Sequence, residues 1–206
     1  MAEAWIKFCG CTSLADVTLA AQAGADAFGM IFAPSPRRIG FEEADAIARR
    51  LPAGISPVAV FVNPERADVD AVLERFPAAL LQFSGEETPD FVARYGDRAI
   101  KAIHVDDHAS LLDERCARYP EAILLFDARQ DGMAGGTGTT FDWNQAAHIA
   151  AQRRVVIAGG LRPGNVAECV QSAHPFGVDV RTGIETDGRK DEGKMRDFVR
   201  AVRQAR

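Results

Sequence analysis

The sequence predicts a single (β/α)8 barrel, an α/β fold of the TIM-barrel class, and three observations carry that prediction. Short apolar or β-branched runs alternate with amphipathic stretches along the whole chain. Each apolar run is followed by helical patterning, which implies parallel strands joined by crossovers. No Gly-Ser linker, charge block or low-complexity tract divides the 206 residues, a length at the lower end for such barrels that demands mostly short loops. An open doubly wound sheet meets the same alternation, but the regular repeat closing on a C-terminal helix fits a barrel better. One domain, residues 1–206, is expected.

The first strand is expected at Ile6–Cys9 and the first helix at Leu14–Ala23. Ser13 with Asp16 resembles a capping box, with Thr12 or Ser13 as the N-cap, and Gly24 stands where a helix end favours a left-handed residue. The second strand, Ala27–Phe32, leaves through Ala33-Pro34-Ser35-Pro36-Arg37-Arg38 towards a helix over Glu42–Leu51. Val58–Val62 and Ala67–Phe76 make the third unit, and Ala79–Phe83 is the fourth strand. Ile100–Val105 precedes a helix at Leu111–Tyr119, and Ile123–Asp127 runs into a long loop, residues 128–140. Val155–Ala158 follows. Pro163 and Asn165 then mark the approach to a helix at Val166–Ala173, before the eighth strand Gly177–Arg181 and the last helix Lys194–Ala205. The two long loops leave strand C-termini, the face on which barrel enzymes place their chemistry.

A net charge of −5 argues against nucleic acid as the main partner, which usually meets a basic surface. No window holds the roughly 18 consecutive apolar residues of a membrane helix, so no membrane partner is expected. The segment Met1–Lys7 runs directly into a strand rather than forming a signal peptide. The four cysteines, Cys9, Cys11, Cys116 and Cys169, lack paired C-x-x-C spacing. A cytoplasmic protein with reduced thiols is the expectation. His104, His108, His148 and His174 are scattered, so no metal site is expected.

Chemistry is expected where strands end. Cys9 closes the first strand before Gly10, and its thiolate is a candidate proton acceptor; a small buried hydrophobe is the other reading. Trp5, Lys7 and Cys9 share a strand face by the two-residue period, so an inward Lys7 ammonium would lower the pKa of Cys9. Asp127 ends the otherwise apolar sixth strand. There, burial suits a carboxyl to general acid work, while a capping or loop-anchoring Asp remains open. Gly159-Gly160 after the seventh strand and Thr182-Gly183 after the eighth occupy the positions where barrels often bind phosphate on backbone N–H groups. Two tight turns would look the same. Arg37 has the planar fork that matches a carboxylate, and Arg38 beside it reads equally as surface charge. The stretch Gly132–Thr140 lacks the Gly-Lys-Ser/Thr ending of a nucleotide loop and suits a lid that excludes water.

With these residues in place, the chain resembles the phosphoribosylanthranilate isomerase family of tryptophan biosynthesis, essentially end to end. The marks are Lys7-Phe8-Cys9-Gly10 with Thr12, Ala23-Gly24-Ala25-Asp26-Ala27-Phe28-Gly29, Ser35-Pro36-Arg37 and Val60-Phe61-Val62-Asn63. Gly135-Gly136-Thr137-Gly138, Thr140-Phe141-Asp142-Trp143 and Ala158-Gly159-Gly160-Leu161 with Pro163 and Asn165-Val166 follow. Asp179-Val180 with Gly183-Ile184-Glu185 completes them. The resemblance implies an Amadori rearrangement of N-(5′-phosphoribosyl)anthranilate with Asp127 as acid and Cys9 as base, and no cofactor. It also implies that Arg37 faces the anthranilate carboxylate and Asp179 the amine region. Monomer and homodimer are both compatible with it.

Three positions depart from the family pattern. Ser84 stands where His is common, Thr139 where a Lys often precedes Thr-Phe-Asp-Trp, and Arg181-Thr182 where a Ser-Ser pair is usual beside the phosphate. Arg181 either pairs with phosphate or points outward. The related histidine-pathway isomerase is expected to use aspartates on the first and fifth strands, where this chain ends in Cys9 and Val105, and so ranks lower. A phosphosugar-binding barrel without catalysis would need no acid–base pair.

Overall fold

Eight strands hydrogen-bond in sequence order, all parallel, and close into a barrel. This is seen in a computed structural model that describes residues 3–105, 111–128 and 142–205. The units run β1 (Trp5–Cys9), α1 (Leu14–Ala23), β2 (Ala27–Ile31), α2 (Phe41–Ala48), β3 (Ser56–Phe61), α3 (Arg66–Arg75), β4 (Leu80–Phe83) and α4 (Pro89–Ala93). They continue with β5 (Ala99–Val105), α5 (Leu112–Ala117), β6 (Ile123–Ala128), α6 (Asn144–Ala150), β7 (Val155–Ile157), α7 (Val166–Ala173) and β8 (Gly177–Val180). A small hairpin, β9 (Glu185–Thr186) and β10 (Arg189–Lys190), precedes α8 (Glu192–Gln204). Closure is made by β1 against β8, with Trp5 beside Gly177 and Lys7 beside Asp179.

The strand period of two divides the core. One side of each strand packs outward against the helices through residues such as Phe8, Phe28, Phe83 and Phe126, joined by Phe198 of α8. The other side fills the barrel axis with Ala27, Val58, Ile100, Ile123, Leu125 and Val156, on which Trp5 and Leu80 pack. Trp5 fits there because Gly177 lacks a side chain: a Cβ on it would lie 3.0 Å from the indole Cε3. Towards the strand C-termini, polar side chains such as Gln82, His104 and Asp127 join the apolar Ile31 and Val60.

Local signals act largely as expected. Ser13 Oγ accepts from the Asp16 N–H at 3.2 Å, while the Asp16 carboxylate accepts from the Thr12 N–H at 2.8 Å. Gly24 ends α1 with φ of 91°. Helix α5 is shorter than the pattern suggests because Arg153 captures the carbonyls of Cys116, Tyr119, Pro120 and Ala122. The carbonyls of Tyr119, Pro120 and Ala122, beyond the end of α5, are thereby satisfied outside a helix. Helix α8 starts earlier than expected, where Asp191 Oδ1 accepts from the Lys194 N–H at 3.0 Å.

A buried ion pair steadies the rim outside the axis. Lys101 of β5 donates to Glu87 Oε2 at 2.9 Å and to the carbonyls of Gly85 and Phe83. Glu87 also accepts from the N–H groups of Asn63 and Gly85, so the loops after β3 and β4 are fastened together. No helix among the described residues is long and apolar enough to cross a membrane.

Candidate active site

At the C-terminal ends of the strands the barrel opens into a cavity of about 510 Å³. Cys9 from β1, Asp127 from β6 and Asp179 from β8 line it, with Arg37 on the loop after β2 and Gly159-Gly160 on the loop after β7. Thr182 lines it as well. The axis supplies the floor through Ala102, Leu125 and Ala158.

On β1 the inward side chains are Lys7 and, one layer higher, Cys9, which is 7% exposed. Lys7 is wholly buried and its Nζ donates to Asp179 Oδ1 at 2.9 Å. Burial disfavours the ammonium, but Asp179 and then Cys9 outweigh it and hold the Lys7 pKa above its ordinary value. The space for this grouping comes from β2. A Cβ on Gly29 would lie 3.0 Å from Cys9 Sγ and 3.1 Å from Lys7 Nζ.

Burial pushes the Cys9 thiol up; the charge of Lys7 pulls it down, Asp179 adds to the rise, and Lys190 opposes it. The net direction is upward. Lys7 therefore stands beside Cys9 as the strand period requires, but the expected lowering of the thiol pKa is overridden by desolvation. The resting group is a thiol. Cys11, fully buried, is pushed up to about 12 by burial, and its Sγ lies 3.6 Å from the Phe8 carbonyl. It is packing, not chemistry.

Arg37 is held before any ligand arrives. Its Nε donates to Glu185 Oε1 at 2.9 Å and its Nη2 to Glu185 Oε2, a two-pronged pair. Lys190 Nζ donates to the same Glu185 at 3.0 Å and to the Cys9 carbonyl at 2.6 Å. Burial would raise the Glu185 pKa, but bonds from Arg37 and Lys190 prevail and lower it. The hairpin thus joins the arginine to the strand end that carries Cys9. Lys190 was not singled out from sequence, although Asp187-Gly188 is a two-residue hairpin signal, and both residues adopt positive φ.

Across the cavity, Gly159 and Gly160 have φ of 84° and 62°, the left-handed region that glycine occupies freely. Asn165 does not cap α7 with its side chain; it donates to the Gly160 carbonyl at 3.0 Å and accepts from the Arg162 N–H at 2.8 Å. Gly183 does not line the cavity. A Cβ on it would fall 1.9 Å from the Leu161 carbonyl oxygen, so this glycine lets the loops after β7 and β8 interlock. His104, scattered in sequence, lines the cavity on β5 in register with Asp127 of β6. Neighbouring parallel strands supply that juxtaposition, which no local sequence spacing encodes. Ser84 also lines the cavity, its Oγ accepting from Gln82 Nε2 at 3.1 Å. The loop Gly132–Thr140, read as a lid, and Thr139 within it lie outside the described residues.

Residues 6–201 match the family model described as N-(5′-phosphoribosyl)anthranilate (PRA) isomerase. The chain belongs to this family. A phosphoribosylanthranilate isomerase of Desulforudis audaxviator is 41% identical over 200 residues, covering 97% of this chain and 98% of its own length. The crystal structure of the phosphoribosyl anthranilate isomerase from Thermotoga maritima superposes with a TM-score of 0.87 at 32% identity, covering 98% of this chain and 99% of its own. A crystal structure of a phosphoribosyl anthranilate isomerase in complex with reduced 1-(o-carboxyphenylamino)-1-deoxyribulose 5-phosphate has a TM-score of 0.84 at 31% identity, covering 98% and 99% of the two chains. Membership makes the chain an isomerase of tryptophan biosynthesis.

Proposed function

We propose that the chain converts N-(5′-phosphoribosyl)anthranilate to 1-(2-carboxyphenylamino)-1-deoxyribulose 5-phosphate with Asp127 as general acid and Cys9 as general base. The observation that carries the pairing of these two residues is that Cys9 and Asp127 line one cavity, above an apolar floor, with a glycine cradle and an anchored arginine around it. Asp127 protonates the furanose ring oxygen, the C1′–O bond breaks, and the nitrogen lone pair forms the C1′ iminium. Cys9 takes the C2′ proton, and the C2′–H electrons move towards the iminium to give an enolamine. Reprotonation at C1′ and loss of the C2′ hydroxyl proton yield the ketone. The iminium is itself the electron sink, so the bond changes balance without a cofactor.

The remaining assignments follow from the same cavity. Arg37 receives the anthranilate carboxylate, and Asp179, held by Lys7, faces the amine. Gly159, Gly160 and Thr182 offer backbone N–H groups to the phosphate, with Gly183 fixing the loop that carries Thr182. A thiol with a raised pKa is a suitable acceptor once the cationic iminium forms nearby, since that charge favours the thiolate.

The test is turnover of phosphoribosylanthranilate generated in situ, followed by loss of its fluorescence. Cys9→Ala and Asp127→Asn are each expected to lose roughly 10²–10⁴ in rate while substrate still binds. Unchanged turnover in Cys9→Ala would remove Cys9 from the base role. Turnover of the histidine-pathway aminoaldose in place of this substrate would replace the assignment.

A further inference from the structure

We propose that Arg181 is a second carboxylate-binding residue, paired with Arg37, and not a phosphate ligand. This rests on the substrate assigned above. Arg181 follows β8 and lines the cavity. Its stem lies over Gly10: a Cβ built there would be 3.3 Å from Arg181 Cδ and 3.1 Å from Arg37 Cδ. The two stems therefore converge over one spot at the end of β1, Arg37 from the loop after β2 and Arg181 from the end of β8. Gly10 itself has φ of 73°, so it provides both the turn after Cys9 and the bare floor for the arginines.

The direction of the stem decides between the two anions. In barrel order β8 lies between β7 and β1. Gly159 and Gly160 follow β7, whereas the Arg181 stem leans to the β1 side. Position 181 in sequence is next to the proposed phosphate loop, but its Cγ and Cδ lie over Gly10, where the Arg37 Cδ also lies. The Lys190 Nζ lies 3.5 Å from the Arg181 carbonyl, so the hairpin that anchors Arg37 also borders Arg181.

Arg37 commits Nε and one Nη2 hydrogen to Glu185, which leaves the end-on pair of Nη1 and Nη2 hydrogens for an incoming carboxylate. Each oxygen of a carboxylate has two lone pairs, so a second guanidinium beside the first adds donors to the same anion. Arg181 has that chemistry at that place. The arrangement makes this chain specific for substrates with a carboxylate on the aryl ring.

The experiment is a ligand–protein cycle read by calorimetric Kd. One ligand is reduced 1-(2-carboxyphenylamino)-1-deoxyribulose 5-phosphate, and the other is the same molecule lacking the ring carboxylate. Arg181→Met is expected to weaken the carboxylate ligand about 10-fold or more and to leave the carboxylate-free ligand within about 2-fold, with Arg181→Lys intermediate. The carboxylate-free ligand also reports that the variant is folded. Equal weakening of both ligands would assign Arg181 to the phosphate or to a general field, and no weakening would assign it to neither; either result overturns the proposal. Failure of the wild type to bind either ligand would instead overturn the substrate assignment itself.

Discussion

Cys9 is pulled in two directions. Burial favours the neutral thiol, whereas Lys7 and Lys190 favour the thiolate, and the outcome is a raised pKa. Cys9, the proposed base of the pair with Asp127, is therefore expected to ionise above about pH 8.5, the ordinary thiol value, and the pH dependence of ultraviolet thiolate absorbance, wild type against Cys9→Ala, checks it. A Cys9-dependent absorbance change centred below about pH 8 would show that burial does not dominate at Cys9. Both members of the pair were legible in sequence because each closes an apolar strand. Net electrostatics was not, since Gly29 and Asp179 reach Cys9 only through strand neighbours, and His104 meets Asp127 the same way.

The hairpin of β9 and β10 ties the loop after β2 to the end of β1. Glu185 receives Arg37 and Lys190, and Lys190 reaches back to the Cys9 carbonyl. Glu185→Gln is expected to raise KM about 10-fold with kcat changed less than about 3-fold, because it loosens the side chain proposed to bind the carboxylate and leaves the proposed acid and base in place. Steady-state kinetics checks it, and an equal fall in kcat would place Glu185 closer to the chemistry. The stabilising effect has a sign fixed by the lowered pKa. It is fully present above the ordinary Glu value of about 4.3 and is lost as pH falls through the lower folded value. The stability difference between wild type and Glu185→Gln, measured by denaturant titration, should be constant from pH 6 to 8 and shrink below about pH 4. Strands and most helices were legible from periodicity, because each has one apolar face. The hairpin was not, since its strands have two residues each and their partners lie far off in sequence.

Closure makes the two ends of the chain depend on each other. β1 pairs with both β2 and β8, so the barrel is incomplete until the last strand arrives. Helix α8 then covers the seam: Phe198 meets Phe8 edge-on with ring centroids 6.0 Å apart. Arg203 donates to the Ala4 carbonyl at 2.7 Å and to Asp26 Oδ2 at 3.1 Å. Asp26 Oδ2 in turn accepts from the Ile6 N–H at 2.8 Å, which links the last helix to the first strand. We therefore expect one cooperative unit. Phe198→Ala, which empties a fully buried site, should cost about 3–5 kcal/mol and lower the unfolding midpoint on the order of 10 °C. Trp5 lies at the other end of the strands from the cavity, whereas Trp143 stands at the start of α6 on the cavity side, so in a Trp143→Phe background far-UV ellipticity, Trp fluorescence and irreversible loss of activity sample different parts of the barrel. All three midpoints should fall together by the same amount. If ellipticity and fluorescence shifted while activity survived to the wild-type temperature, the seam would be a separate unit, and residues 1–206 would not act as one domain.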